Sequence, residues 1–207
     1  MKDCPPNLIL LDAKAPVIAF DLMDTLIRDP YRLAHEAATG MSFEEFETKR
    51  PDGVYHCLER GEVEEEYYWY RLRQAGIAID VDRFHDTRCR GYAWLPGMKE
   101  LLADITAIHR VIIASNYPVW IHDVQRAYLG DLNLEICSSC HLGVRKPSPD
   151  FFVGLCARHG VDIHNLILID DSLDNIRGAR AAGVNAIHFT GATALRRFLA
   201  KHGLIWL

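Results

Sequence analysis

Four short runs of apolar residues along the chain end in polar residues. Each run has the length of a strand, and the stretches between the runs have the apolar spacing of amphipathic helices. Continuous apolar runs of this kind are typical of strands that are covered on both faces. We therefore predict an α/β fold with a parallel, doubly wound sheet. The four runs are Val17–Phe20, Val111–Ala114, Leu134–Ile136 and Leu166–Ile169.

Four amphipathic stretches follow these runs or lie between them. Proline lies near the predicted helix starts and glycine just past two of the ends, which are the positions these residues favour. In doubly wound sheets, ligands bind beyond the carboxyl ends of the strands, so the polar residues after the strands are expected to meet there. The predicted helices are Gly97–His109, Pro118–Tyr128, Pro149–His159 and Ser172–Ala182.

Residues from about Pro30 to Tyr92 interrupt the alternation of strands and helices. Their pattern predicts several short helices, which we interpret as an insertion over the carboxyl edge of the sheet. Residues 1–15 are expected to form an arm or an extra edge segment. The predicted helices of the insertion are Tyr31–Ala38, Ser42–Lys49, Val54–Arg60, Val63–Gln74 and Val81–Arg90.

Four consecutive aromatic residues, Tyr67 to Tyr70, lie on one of these predicted helices. Four in a row wrap around a helix, so some of them must face away from the core of the insertion. Packing between the insertion and the sheet domain explains them most simply. The alternative is a stacking wall for a planar substrate, to which Tyr117 and Trp120 would also contribute.

The composition of the chain serves mainly to exclude classes of binding partner. Of the 207 residues, 49% are apolar and 25% are charged, and the formal net charge is −5. Binding to a nucleic-acid backbone requires a basic excess, so we exclude nucleic acid as a partner. The apolar runs fall far short of the roughly 20 residues that cross a bilayer, and the N-terminus lacks a cationic segment followed by an apolar one. We therefore expect a cytoplasmic chain without a membrane partner.

The six cysteines are scattered and, in a cytosolic chain, are expected to be reduced. Only Cys137 and Cys140 have C-x-x-C spacing, which suits a redox pair or half of a zinc site. A zinc site needs a second pair of ligands, and the neighbouring His141 adjoins Cys140 instead of lying at the usual spacing. We favour ordinary cysteines over either site.

The first apolar run leads into a segment that combines carboxylates with a hydroxyl, Phe20-Asp-Leu-Met-Asp-Thr-Leu26. At the tip of a buried strand, Asp21 can serve as a covalent nucleophile and as a magnesium ligand. A lone aspartate in such a place is more often a helix N-cap residue. We favour the catalytic interpretation over the N-cap because polar groups also follow the other predicted strands.

Further polar residues at the strand ends suit the binding of phosphate. Thr25, Ser115 and Asn116 offer neutral hydrogen-bond donors for phosphate oxygens, although each alone is more often a turn residue. Lys146, whose approach is fixed by Pro147, would hold the nucleophile and the phosphoryl group by its charge.

Carboxylates end the fourth run, where Asp170 and Asp171 are followed by Asn175 in the first turns of a predicted helix. Adjacent carboxylates at a helix start are by themselves ordinary capping residues. Together with Asp21 on another strand end, they predict the oxygen-rich, partly hydrated site that Mg²⁺ prefers. Asp171 is the first choice of ligand, supported by Asp170 and Asn175.

These segments together resemble the four ordered motifs of the haloacid dehalogenase superfamily. Four motifs in order form a specific pattern, whereas any one of them would be weak evidence. The resemblance implies a Rossmann-like core of residues 1–29 and 93–207 with a small α-helical cap of residues 30–92. It also implies Mg²⁺-dependent hydrolysis of a small phosphorylated metabolite through an aspartyl-phosphate, by a monomer or a homodimer. The motifs are Asp21-Leu-Met-Asp-Thr25, Ser115-Asn116, Lys146-Pro147 and Asp170-Asp-Ser-Leu-Asp-Asn175.

One position departs from the superfamily pattern. Its phosphatases usually carry a second aspartate two positions after the nucleophile, as general acid and base, and this chain has Met23 there. A thioether cannot donate a proton, and general acid–base help is worth about 10²–10⁴ in rate. The resemblance still assigns the backbone carbonyl of Met23 to the metal. Asp24, where the superfamily usually has glycine, is the nearest substitute acid, and Thr25 or a group of the cap acting through water are alternatives.

Further segments resemble the flavin mononucleotide hydrolases of plant chloroplasts and their relatives, which makes flavin mononucleotide the leading candidate substrate. Three alternatives stay open: a retired binding protein, a metal-independent haloacid dehalogenase, which the Asp170-Asp171 pair disfavours, and a phosphonatase. A phosphonatase needs a lysine in the cap, where Lys49 is the only one. The segments are Phe20–Pro30, Gly40–Ser42, Gly91–Tyr92, Leu95–Met98, Asn116–Trp120 and Arg145–Pro147.

Overall fold

A computed structural model of the chain describes residues 15–132 and 134–206. Its centre is a sheet of five parallel strands in the order β3-β2-β1-β4-β5. The doubly wound α/β fold predicted from the sequence is thereby confirmed, while the predicted arm falls almost wholly outside the described residues. The strands are β1 (Val17–Phe20), β2 (Val111–Ser115), β3 (Glu135–Ser138), β4 (Leu166–Asp170) and β5 (Asn185–His188).

The three central strands β1, β2 and β4 are buried along their whole length. Alternate residues of β1 enter two different apolar clusters. Ile18 and Phe20 belong to the cluster on one face, while Val17 and Ala19 belong to the cluster on the other. Helices therefore cover both faces of the sheet, so the polar groups of the central strands lie at the strand ends.

Helices connect the strands and fill the insertion, and none in the described part of the chain is long and apolar enough to cross a bilayer. They are α1 (Tyr31–Thr39), α2 (Phe43–Lys49), α3 (Val54–Glu59), α4 (Glu65–Gln74), α5 (Val81–Gly91), α6 (Met98–Thr106), α7 (Ile121–Val124), α8 (Ser139–Leu142), α9 (Pro149–His159), α10 (Leu173–Ala181) and α11 (Ala192–Lys201).

Besides small shifts of helix ends, the structure contains two helices, α8 and α11, that the pattern did not predict, and it differs at three further places. The predicted helix over 118–128 is the short α7, which continues as a π-helical turn at Gln125–Leu129. The strand predicted at 134–136 begins at Glu135 and runs on to Ser138. The edge strand β5 begins with Asn185 and ends with His188, which leaves only two apolar residues in it, so periodicity alone does not reveal it.

The helical insertion, residues 30–92, leaves and rejoins the sheet domain at adjacent positions. The Arg28 N–H donates to the Ala93 carbonyl at 2.8 Å, and the Leu95 N–H donates to the Leu26 carbonyl at 2.9 Å. Within the insertion, α1 packs against α5. The two connections therefore lie side by side, close to the end of β1.

A buried cation joins the insertion to the sheet domain. Arg88 of α5 is almost wholly buried and forms an ion pair with Asp123 of α7 at 2.6 Å. It also donates to the Tyr92 hydroxyl at 2.7 Å, and its guanidinium lies 5.1 Å from the centre of the Trp120 ring. Trp120 in turn donates to Glu65 of α4 at 2.9 Å.

Replacing Arg88 by Met is expected to destabilise the protein. The change removes one partner of a largely buried ion pair, and we expect the free energy of unfolding to fall by about 2–3 kcal/mol. This loss is smaller than for a fully buried pair because Asp123 is partly exposed. Urea unfolding measures the loss. The control is Arg90→Met on the same helix, since Arg90 is exposed and its pair with Asp86 contributes less than about 1 kcal/mol. Equal stability of the two variants would contradict this account.

Candidate active site

Polar residues from three neighbouring strands meet at the carboxyl edge of the sheet. Asp21 follows β1, Asn116 follows β2, and Asp170 is the last residue of β4. Because β1 lies between β2 and β4, their carboxyl ends are adjacent. The sequence predicted this convergence from the apolar runs, and the structure brings the groups within contact of one another.

Lys146 lies at the centre of this cluster and is fully buried. Its Nζ donates to Asp21 Oδ1 at 2.7 Å, to Asp170 Oδ2 at 2.6 Å and to the Ala114 carbonyl at 2.7 Å. All three ammonium protons therefore have acceptors. Burial opposes the charged form, but Asp21 and Asp170 outweigh it and raise the pKa of Lys146, so the side chain is a cation.

The Asp21 carboxyl is held in an environment that resists ionisation. Burial raises its pKa to about 7, since desolvation and the nearby Asp170 and Asp171 outweigh the attraction of Lys146. A carboxyl must be ionised to act as a nucleophile. A divalent cation beside the same carboxylates would shift the balance towards the ionised form.

The three carboxylates are arranged to suit a hard cation. One oxygen each from Asp21, Asp170 and Asp171 lie within 4.8 Å of one another, the one such cluster of metal-binding side chains in the described residues. Both Asp170 oxygens are engaged, by Lys146, by the Asn175 amide and by the Ser172 N–H. Asp171 is exposed on one side, and partial desolvation of its carboxyl together with the nearby Asp170 raises its pKa. An all-oxygen donor set that is open to water on one side fits Mg²⁺.

The turn after Asp21 contains the residues around the missing second aspartate. Asp24 has φ of 57°, the left-handed conformation that glycine adopts most readily, which explains why a glycine suits this position. Its Oδ1 accepts a hydrogen bond from the Asp29 N–H at 3.0 Å. The Thr25 hydroxyl is buried and lies 3.4 Å from Asp171 Oδ1. Met23, which is partly buried, stands between Asp21 and Asp24 in the sequence.

Asn116 orders the segment that carries the lysine. Its Nδ2 donates to the Lys146 carbonyl at 2.9 Å, and its Oδ1 accepts from the Lys146 N–H at 2.8 Å. The side-chain amide is thus committed to the Lys146 backbone, a use that the sequence did not indicate. The buried Ser115 ends β2 beside it.

Gly178 of α10 also holds the lysine segment in place and was not singled out from the sequence. A Cβ atom there would overlap the carbonyl oxygen of Pro147, so the helix approaches the chain next to Lys146 more closely than any side chain allows. Only an alignment of relatives could have drawn attention to this position, because a mid-helix glycine has no local pattern.

Replacing Gly178 by Ala is expected to displace Pro147, and with it Lys146, from the carboxylates. We expect hydrolysis to fall by about 10²-fold, the loss typical of a 1 Å misplacement, with a lower melting temperature. The matched control is Gly154→Ala in α9, where the new Cβ would make ordinary contacts with Leu142. That control keeps its activity and its stability, and an active Gly178→Ala enzyme would refute the expectation.

The aromatic residues divide between the core and the surface. Tyr68, Trp69, Tyr117 and Trp120 are buried, with the Trp69 and Trp120 rings stacked 6.0 Å apart across the interface of α4 and the sheet domain. Tyr67 and Tyr70 are exposed on the opposite face of α4, as expected for four consecutive residues that wrap around a helix. Packing between the insertion and the sheet domain accounts for the four buried rings.

An open cleft of about 720 Å³ adjoins the carboxylates on the side of Asp171. Asp24 and Asp171 line it together with the loop between β5 and α11 and with Arg197. Its volume is within the range of small-molecule sites. The cleft therefore gives a small ligand room beside the exposed edge of the carboxylate cluster.

The sheet order, the lysine-bridged carboxylates and the helical insertion define a hydrolase of the haloacid dehalogenase type. A model of the family of haloacid dehalogenase-like hydrolases matches residues 15–183. The chain belongs to that family.

The curated proteins that are similar to the chain in sequence include the following two. Flavin mononucleotide hydrolase 1, a chloroplast protein of Arabidopsis thaliana, is 32% identical over 198 residues, covering 92% of this chain and 79% of the relative. Protein CbbY of Cupriavidus necator is 25% identical over 141 residues, covering 58% of this chain and 56% of the relative.

Solved structures share the fold at lower identity. A haloacid dehalogenase family enzyme of Bacteroides thetaiotaomicron in a magnesium complex has a TM-score of 0.75 and 19% identity, over 89% of this chain and 100% of the other. A predicted phosphoglycolate phosphatase of Haemophilus somnus has a TM-score of 0.62 and 22% identity, over 85% of each chain.

Proposed function

We propose that this hydrolase is a Mg²⁺-dependent phosphomonoesterase that acts through an aspartyl-phosphate on Asp21, with flavin mononucleotide as the leading candidate substrate. The observation that carries the proposal is the Lys146 ammonium, which is bonded to both Asp21 and Asp170 while Asp171 stays open to solvent. A buried cation beside a nucleophile and an adjacent oxygen cluster suits a dianionic phosphate ester.

The reaction we propose has two displacements. In the first, an Asp21 oxygen bonds to phosphorus while the ester P–O bond breaks, and the alcohol leaves with a proton from Asp24. In the second, water attacks phosphorus and gives a proton back to Asp24, while the P–O bond to Asp21 breaks and releases inorganic phosphate and the Asp21 carboxylate. Lys146 stabilises the charge on the nucleophile and the phosphoryl oxygens, and the Thr25 and Ser115 hydroxyls bind those oxygens. Asp21, Asp171 and the Met23 carbonyl would hold Mg²⁺, which supplies neutralisation of the phosphate charge.

In the proposed division, residues 1–29 and 93–207 form the core and the helical insertion, residues 30–92, forms the cap. The cap would select the substrate. Flavin mononucleotide is supported by the name of the Arabidopsis relative and by the 32% identity over most of the chain. The chloroplast location of that relative leaves the expected cytoplasmic location a prediction. The proposed partner is a small phosphorylated metabolite.

A substrate panel tests this proposal most broadly. Purified protein is offered flavin mononucleotide, other phosphomonoesters and a nitrophenyl phosphate, each with Mg²⁺ and with a chelator. We expect release of phosphate with Mg²⁺ and a reversible loss with chelator. Chelator-resistant release of halide from a chloroacid would instead support a dehalogenase.

Met23 favours a second candidate, a retired family member that binds a phosphorylated ligand without turnover. Removing a general acid weakens a phosphatase by about 10²–10⁴ but leaves the much larger remaining acceleration. Binding of phosphate esters with no turnover across the panel would establish this candidate.

Asp24 is the proposed proton donor, and Asp24→Asn tests it cleanly. Asparagine tolerates φ of 57° and its Oδ1 can still accept from the Asp29 N–H, so the turn is kept while the acid is lost. We expect hydrolysis of flavin mononucleotide to fall by about 10²-fold. Nitrophenyl phosphate, whose leaving group departs without a proton, serves as the control and is little affected. Unchanged rates on both esters would remove Asp24 from this role.

A further inference from the structure

The C-x-x-C segment contains a residue whose contacts neither a redox nor a metal role explains. Cys137 and Cys140 are free thiols, and the only candidate metal cluster in the described residues lies elsewhere. Between them, the Ser139 hydroxyl is fully buried. It accepts from the Tyr117 N–H at 3.1 Å and donates to the Glu59 carbonyl at 2.5 Å. One hydroxyl therefore joins the residue after Asn116 to the last residue of α3.

The same end of α3 contacts the lysine segment. The Glu59 carboxylate is buried, and its Oε2 lies 3.0 Å from Arg145 Nε, on the residue directly before Lys146. The turn that follows α3 also lies against α8, since a Cβ on Gly61 would come within 2.8 Å of the Cys140 carbonyl oxygen. The Ser139 hydroxyl thus reaches Tyr117, the neighbour of Asn116, and the Glu59 carboxylate reaches Arg145, the neighbour of Lys146.

These contacts form a closed loop of interactions. Asn116 and Lys146 are tied to each other by two hydrogen bonds between the Asn116 amide and the Lys146 backbone. Tyr117 and Arg145 flank that pair: Arg145 contacts the Glu59 carboxylate, and Tyr117 is linked to the Glu59 carbonyl through the Ser139 hydroxyl. A displacement of α3 would therefore move the backbone of Lys146, whose ammonium reaches Asp21.

We propose that Ser139 and the Glu59–Arg145 pair are positioning residues, which make the placement of Lys146 depend on the contact between α3 and the sheet domain. The inference rests on the proposed phosphatase function. Ser139, the second serine of the C-x-x-C segment, then affects catalysis only through Lys146. Arg145 serves to contact the insertion and does not bind the substrate.

The test compares Ser139→Ala with Ser138→Ala. Ser138 is equally buried and adjacent, but its hydroxyl contacts Cys140 and does not reach the insertion. We expect Ser139→Ala to lower kcat about tenfold on both flavin mononucleotide and nitrophenyl phosphate, with KM little changed, because Lys146 acts on the phosphoryl group that both share. Ser138→Ala should keep the wild-type kcat. Arg145→Met, on a partly exposed side chain, should show the same fall in kcat, and Arg145→Lys should partly restore it.

A second measurement does not need turnover. Exchange of the Lys146 amide hydrogen, which is bonded to Asn116 Oδ1, should accelerate in Ser139→Ala but not in Ser138→Ala. Exchange confined to residues near 59 and 139 would indicate a purely local role and would overturn the inference. A rise in KM for flavin mononucleotide alone in Arg145→Met would also overturn it, since that marks a substrate contact. If the wild type hydrolyses nothing, the proposed function fails, and the exchange of Lys146 still decides the inference.

Discussion

Asp21→Asn is expected to abolish phosphatase turnover. Asparagine has nearly the same shape but lacks the anionic oxygen that bonds to phosphorus, and loss of a covalent nucleophile costs at least about 10⁴-fold in kcat. Release of phosphate from flavin mononucleotide and from nitrophenyl phosphate measures the loss. Turnover by the variant within tenfold of the wild type would contradict the assignment of the nucleophile.

The stability of this variant separates lost chemistry from lost folding. In the metal-free protein, burial raises the pKa of Asp21 to about 7 in the folded state, against 3.8 for a solvent-exposed aspartate of the unfolded chain. The folded state binds the proton more tightly than the unfolded chain, so this stabilisation is complete below about pH 4 and is lost as the pH rises through 7. At about pH 8 we therefore expect Asp21→Asn to melt above the metal-free wild type, with the gap closing near pH 5. A variant that melts lower at both pH values would indicate misfolding.

Lys146→Met is expected to remove activity and to destabilise the protein as well. The change leaves Asp21 and Asp170 buried without their shared cation, and breaking a buried ion pair from one side costs about 3–5 kcal/mol. In the proposed reaction, the buried positive charge beside the phosphoryl group would also be lost, so we expect kcat to fall by at least about 10³-fold.

Urea unfolding and phosphate release measure the two effects separately. The control is Lys99→Met, because Lys99 is exposed on α6. We expect this control to match the wild type in both measurements. A Lys146→Met enzyme with normal stability would show that the ammonium is not paired as described.

Much of this site could be predicted because Asp21, Ser115 and Asp170 lie at the ends of strands that are fully buried, whereas Lys146 lies in the loop between α8 and α9. A strand covered on both faces is an uninterrupted apolar run, and the first polar residue after it must lie at the carboxyl edge. That reasoning placed Asp21, Ser115 and Asp170 correctly. It missed β5, since an edge strand that is partly exposed carries Asn185 and His188 within it.

Contacts between the insertion and the sheet domain could not be predicted in the same way. Arg88 and Glu59 are charged residues on amphipathic helices, where the sequence pattern indicates a solvated face, yet both are buried against residues far along the chain. Such burial depends on tertiary packing, which no local period encodes. The close approach of Gly178 to Pro147 is invisible to sequence patterns for the same reason.

The central claim is that Asp21 carries the phosphoryl group, and the most direct measurement is chemical trapping of that group. Enzyme turning over flavin mononucleotide or nitrophenyl phosphate with Mg²⁺ is quenched in acid and reduced with borohydride, which converts an aspartyl-phosphate to homoserine. We predict homoserine at position 21 in the digested peptide, absent from the Asp21→Asn variant and from enzyme without substrate. Modification of a different residue, or none in an enzyme that turns over, would contradict it.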